Sequence, residues 1–483
     1  MFLNSEQIVL LLLPVLVRSA TVTYKIPSAA PTAAVALDPA PLGVSLEFFT
    51  FPSYFLNVTA TNQCLKNFEE LTGTWPPIRI GGTTQDRATY DASSSAYVTY
   101  SVAAPQDAPA SLTFGPKFMD LAATYSGSVV MGLNRGHDNI TNTIAAAKVA
   151  SDKMNNLIAI ELGNEPEYWV GDNQPIAINA GTWNPQVDAE SQDDWDIRVG
   201  SALNRKSIIQ AGNSNSNPPQ WGAAELIATE NATVKEYVHD YAHHHYPGGS
   251  LTSLMSHSTI VSNTAMFEAE VAAAATVGKD YVLGETNSVS GGGAATVSPL
   301  FGAAIWTLDH TVRAASIGIK RIYYHHGTIG TCFYCFWGRY DMGSPYYGAY
   351  AATAFMAGGS SIIALDSGSS NYGGYAVYDD AGGALRVLLI NSDYFGGTAT
   401  GARNSTTFVL SGLTDGGIKA KRLTAPSSNS RVDQGENPTF GGQEFANVTC
   451  AVLGSEVWES SDVVGGQASF DVGASEALLV YLK

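Results

Sequence analysis

"LIAIELGNEPEYW", Leu157 to Trp169, is an apolar run that halts on Gly163, Asn164, Glu165 and Pro166. A short apolar stretch closed by turn residues has the form of a strand buried on both faces, as in parallel sheets. Asn and Pro are also ordinary turn formers, so these residues alone are compatible with a plain strand-to-loop junction. The carboxylate is the informative part, because a charge set against a core is costly unless it is paired or used.

Working outward, the run is one of eight. "GVSLEFF" (43–49), "PIRIGG" (77–82), "SVVMGLN" (128–134), "LIAIELGNE" (157–165), "SIIQAGN" (207–213), "VHDYAHHHY" (238–246), "YVLGE" (281–285) and "RIYYHH" (321–326) alternate with helix-like segments. Those segments include "TNTIAAAKVASDKMNN", "DDWDIRVGSALNRK" and "LFGAAIWTLDHTVRAASIG". Near-continuous apolar strands separated by helices predict a parallel sheet covered by helices. Eight such units predict a (β/α)8 barrel over residues 40–350. A doubly wound sheet would carry a Gly-rich nucleotide loop after its first strand, and the sequence has none there.

After residue 350 the period changes. "GYAVYDDAGGALRVLLIN" (374–391) reads as two alternating strands about a Gly-rich turn, and "ASFDVGASEALLVYLK" closes the sequence in the same way. Residues 351–483 are therefore expected to form an antiparallel β-sandwich. "TVTYKIP" (21–27) also alternates, so residues 20–39 are assigned as a strand and linker belonging to that distal sheet.

The 483 residues carry 25 basic and 43 acidic side chains, a formal charge of −18, with only 14% charged residues. That balance fits a folded globular protein and argues against nucleic acid or anionic membrane as partners, since both would be repelled. Residues 1–19 read as a secretory signal peptide. An apolar core from Ile8 to Val17, too short to span a bilayer, precedes a cleavage point after Ser19. Five sequons, at Asn57, Asn139, Asn231, Asn404 and Asn447, support an extracellular destination and are candidate glycosylation sites. Cys64, Cys332, Cys335 and Cys450 are then expected in disulfides rather than in a zinc site. Four cysteines allow three pairings, and all three stay open.

In a barrel of this class, chemistry sits at the carboxyl ends of the strands. Glu165 closes the fourth run and Glu285, in "VLGETNS", closes the seventh. Two carboxylates on that face are what a glycosidase needs, one protonated to release the leaving oxygen and one ionised. At about 5–5.5 Å apart the second attacks carbon directly and configuration is retained. No cofactor is expected. The three histidines of "HHHY" invite a metal reading, but alternation puts His243 and His245 on one face and His244 on the other, so no metal site is assigned.

"LGNEP", "GETNSVSGGG" and "RIGGTTQD" resemble glycoside hydrolase family 79, the clan A family that holds β-glucuronidases and heparanase. The likeness spans the barrel, and the layout of barrel plus β-sandwich matches. The resemblance implies that Glu165 is the acid/base, Glu285 the nucleophile, and Asn164 a partner of the sugar 2-hydroxyl. It implies that Glu47 and Thr83 contact the sugar, and that in His244-x-Tyr246 the tyrosine hydroxyl supports the nucleophile. It further implies that backbone N–H groups of Gly291 and Gly292 hold the sugar carboxylate, so an anionic substrate needs no basic side chain there. The sequence departs from heparanase in placing Ser290 where that enzyme has a tyrosine, with Tyr334 or Trp337 as the replacement aromatic. The Lys and Arg clusters that a sulfated chain would require are also missing. The expectation is a secreted, retaining exo-β-glucuronidase acting on terminal glucuronate or its 4-O-methyl form. The rivals are a clan A exo-glycosidase for a neutral sugar and a non-catalytic carbohydrate-binding protein.

Overall fold

A computed structural model describes residues 20–179 and 181–483. The signal-peptide assignment at 1–19 lies outside the described residues. Eight parallel strands close a barrel, each bonded to the next in chain order and the eighth to the first. They are Leu42–Glu47, Ile78–Gly81, Val129–Leu133, Leu157–Leu162, Ile209–Ser214, Val238–His245, Asp280–Thr286 and Ile319–His326. Each falls on one of the eight apolar runs, with no end moved by more than three residues. The helix Pro345–Met356 follows the eighth strand and runs through residue 350. Among the described residues no helix is long and apolar enough to cross a membrane.

The distal domain packs one large sheet against a small one. The strands Tyr372–Tyr378, Ala384–Asn391 and Glu476–Tyr481 lie side by side in the large sheet, and their alternation serves two cores at once. Tyr375, Val377, Leu388, Ile390 and Leu479 join the core shared with the barrel. Ala376, Tyr378, Val387, Leu389 and Val480 face the small sheet, where Tyr24, Phe408 and Val472 meet them. A period of two thus lets one sheet be buried on both sides. The strand Ala20–Lys25 lies in the small sheet, paired with Ser405–Ser411, and Val35–Ala36 pairs in the large one. The first of these pairings is parallel, which departs from the expectation of an all-antiparallel domain.

Three devices fix the domains to each other. Cys64, on a barrel helix, is bonded to Cys450 of the distal domain, while Cys332–Cys335 closes the loop after the eighth strand. The N-terminal amides of the helix Phe301–Ser316 are met by distal carbonyls, Phe301 N to Ser430 O at 2.9 Å and Gly302 N to Ser428 O at 2.8 Å. Buried His257 bridges barrel Asp309 (2.7 Å) and distal Asp366 (2.9 Å), and distal Tyr375 donates to Asp309 at 2.8 Å.

Candidate active site

Glu165 and Glu285 stand at the carboxyl ends of the fourth and seventh strands, on one rim of the barrel. With His244 they present side-chain atoms that all lie within 4.8 Å of one another. Both line a cavity of about 500 Å3 together with Glu47, Thr83, Tyr246, Gly291, Gly292 and Tyr334. Glu165 sits just past its strand in the left-handed region, φ 47°, following Gly163 at φ 87°. A non-glycine residue rarely holds that conformation without compensation. Here Glu165 N donates to Asn213 O at 2.9 Å, and buried Asp86 accepts from Asn164 N at 2.6 Å. Trp169 Nε1 donates to Asn164 O at 2.9 Å, completing the turn.

The environments of the two carboxylates differ sharply. Glu285 is gripped by Arg79, with the charge of His325 at 3.4 Å and the Tyr246 hydroxyl donating at 2.5 Å. Burial alone would raise its pKa, but His325, Arg79 and His244 together with that hydrogen bond hold it far below the usual carboxylate range. Glu165 is pushed well above that range, first by burial and then by the charge on Glu285, against the weaker pull of Arg79 and His325. One group is thus ionised and the other protonated, the pairing that acid–base chemistry requires. His244 Nδ1 lies 3.0 Å from Glu165 Oε1, and burial lowers the ring to about 4, so a neutral imidazole can accept the proton's hydrogen bond. The metal-like trio of Glu165, His244 and Glu285 is therefore already matched internally by hydrogen bonds and by the cation on Arg79.

Arg79 and His325 escaped the sequence reading. Arg79 is fully buried in the second strand and also contacts Glu161, Ser45 (3.1 Å) and Asn164 Oδ1 (2.9 Å). The Asn164 carbonyl oxygen is thereby occupied, which leaves its amide as the group that can meet a sugar hydroxyl. His325 Nε2 is 3.3 Å from Glu47, and burial is outweighed by Glu285 and Glu47, so its pKa is raised. The visible signal was a lone arginine inside an otherwise apolar strand, which must be paired if it is buried.

Glu47 accepts from Thr84 N at 2.9 Å, so Thr84 is the threonine that supports it, while Thr83 faces the cavity exposed. Gly82 is required there: at φ 97°, a Cβ would come within 2.5 Å of Glu47 Oε2. Gly291 and Gly292 hold φ 68° and 91° and turn their backbone to the cavity. Tyr334 stands beside them, with its ring 6.3 Å from Tyr246. Trp337 does not reach the site; its Nε1 donates to Thr61 Oγ1 in the core. Glu167, missed by the sequence reading, lies next to Glu165 with Oε1 accepting from Asn215 N and is pushed up to about 8 by burial and by Glu165. All five sequon asparagines are exposed. Asn139, Asn231 and Asn447 also accept backbone hydrogen bonds through their side chains.

A barrel with one ionised and one protonated carboxylate within reach of the same atom defines a glycoside hydrolase. Comparison with known proteins narrows the class. Residues 374–479 match the model of the glycosyl hydrolase family 79 C-terminal beta domain. A solved 4-O-α-L-rhamnosyl-β-D-glucuronidase from Fusarium oxysporum is 49% identical, over 95% of this chain and 100% of that one, with a TM-score of 0.92. Curated β-glucuronidases of Aspergillus niger and Neurospora crassa are 29% and 28% identical, over 74% and 80% of this chain and 72% and 81% of theirs. An arabinofuranosidase of Bifidobacterium longum, 12% identical over 95% of this chain and 99% of its own with a TM-score of 0.62, shares the fold alone. The chain belongs to glycosyl hydrolase family 79.

Proposed function

We propose that this chain is a retaining exo-β-glucuronidase in which Glu285 is the nucleophile and Glu165 the acid/base. The observation that carries the reading is the pair of carboxylates in opposite protonation states beside the Gly291–Gly292 turn. Glu285 attacks the anomeric carbon while Glu165 gives its proton to the departing glycosidic oxygen, which forms a covalent glycosyl-enzyme. Once Glu285 is esterified, its charge no longer raises Glu165, which becomes a base, takes a proton from water and directs it at the anomeric carbon. Tyr246 and Arg79 stabilise the nucleophile's charge before attack and receive it again on release. The amide of Asn164 meets the 2-hydroxyl, and Glu47 with His325 meets the distal hydroxyls. The glycine turn and Tyr334 receive the sugar carboxylate as hydrogen-bond donors. The exposed sequons, the paired cysteines and the acidic surface support action in an extracellular, oxidising medium.

The test is hydrolysis of aryl β-D-glucuronide beside aryl β-D-glucoside at acidic pH. Turnover of the glucuronide, its loss in Glu285→Gln, and slowed deglycosylation in Glu165→Gln are expected. Turnover of the glucoside alone would replace this reading with that of a neutral-sugar glycosidase.

A further inference from the structure

A second cavity, of about 570 Å3, lies beside the catalytic one and shares Thr328 and Thr331 with it. Its walls come mainly from the residues just after the first barrel strand, the loop after the eighth and the distal segment 431–433, with Tyr100 and Pro105 from the segment after the second strand and Pro299 from the one after the seventh. In a ring of eight strands bonded in chain order, the eighth lies diametrically opposite the fourth. Glu165 ends the fourth strand and, as the proton donor, marks where the leaving group departs. The second cavity is therefore on the far side of the sugar, beyond Glu47, and Phe49 and Thr50 continue the chain from Glu47 into its wall. Anything seated there is joined to the glycone, not to the aglycone.

The lining tells what kind of group fits. Tyr340 is 67% exposed, and Tyr100 and Phe333 are each 41% exposed, so three aromatic rings keep uncovered faces at this cavity. Ring faces of that kind suit the C–H side of a pyranose, while the tyrosine hydroxyls suit its polar edge. The charges come in opposite signs, Arg339 with Asp341 and Arg431 with Asp433, the latter two joined at 2.6 Å. That balance favours a neutral occupant over a second uronate.

We infer that this cavity is a subsite for a neutral glycosyl residue carried by the glucuronate itself, so that the chain releases a glycosyl-glucuronate disaccharide. The inference rests on the glucuronidase reading and extends it. An aryl 4-O-α-L-rhamnosyl-β-D-glucuronide, built on the disaccharide for which the Fusarium relative is named, serves as the probe and is compared with the uncapped aryl glucuronide. The wild type is expected to hydrolyse the capped compound with kcat/KM at least about tenfold higher. Tyr340→Ala, at an exposed position, should lower that value by about tenfold and leave the uncapped substrate within about twofold, with Phe333→Ala behaving alike. Activity on the uncapped substrate reports that both variants are folded. Preference for the uncapped compound, or equal losses on both, would overturn the subsite while the glucuronidase reading stands. Inertness of the wild type toward both would sink the two together.

Discussion

At Glu285, burial pushes the proton on and four neighbours, His325, Arg79, His244 and Tyr246, push it off; the neighbours win. Tyr246 is the most separable of these influences, because its hydroxyl is itself held protonated, by burial and then by the charge on Glu285. Tyr246→Phe is expected to lower kcat by about 10–100-fold, the scale of one lost hydrogen bond to a charged group. It should also move the acid limb of the kcat–pH profile upward, since that bond depresses the Glu285 pKa. An unmoved acid limb would show that Arg79 and His325 suffice. The two glutamates were legible because each is a carboxylate closing an apolar strand. Arg79 and His325 were not, because their partners arrive from other strands across the barrel, a proximity that sequence spacing does not encode. Thr84 as the support of Glu47 was not legible, because a short 3-10 turn, Thr83–Arg87, decides which threonine turns inward.

Strands and helices were more readable than single contacts. Each barrel strand is an apolar run of the right length, and the helix Phe301–Ser316 is buried along nearly all of its length, as its sequence implies. What the pattern could not give is how elements of the two domains meet. The disulfide partner of Cys64 is 386 residues away, and the charges around His257 come from a barrel helix and a distal loop. Burial should lower the His257 pKa, but Asp309 and Asp366 raise it to about 10. A raised histidine stabilises the fold in full below its unfolded pKa, near 6.5, and the contribution fades as pH rises through about 10. His257→Gln is expected to cost roughly 3–5 kcal/mol at pH 7, as for a broken buried ion pair. Urea denaturation at pH 7 and pH 10.5 checks it: wild type and variant should converge at the higher pH. An undiminished gap would assign the loss to packing instead.

For the molecule as a whole, several buried or half-buried carboxylates titrate upward: Asp86 and Asp193 to about 6, Glu230 to about 7 and Glu167 to about 8, each chiefly through loss of solvent. A carboxylate raised on folding binds its proton more tightly in the native state, so stability falls as pH climbs from about 4 toward 8. Groups shifted the other way weaken the fold as pH falls: carboxylates such as Asp366 and Glu476 below the usual carboxylate range, and the buried histidines His243, His244 and His310, lowered to about 3, 4 and 3, already below about 6.5. Above about pH 7.5 those histidines are neutral folded or unfolded, so the melting temperature is expected to fall between pH 7.5 and pH 9 by differential scanning calorimetry as Glu167 ionises and the His257 contribution fades, and a rise over that interval would contradict these two assignments. The acidic composition hinted at none of this, because the effect depends on which few of the 43 acids are buried. The parallel pairing of the first described strand bears on how the molecule is made. The strand Ala20–Lys25 emerges from the ribosome long before its neighbour Ser405–Ser411. At about 5–20 residues per second it waits roughly 20–80 s for that neighbour, while an entire barrel is synthesised between them. In the order of translation the catalytic barrel is an insert, and the distal domain is opened by the first of these strands and closed only after the last. Until then an unpaired strand edge is exposed, and a chain cut short between the barrel and Ser405 would retain its complete active-site residues but leave that edge open to association with other chains.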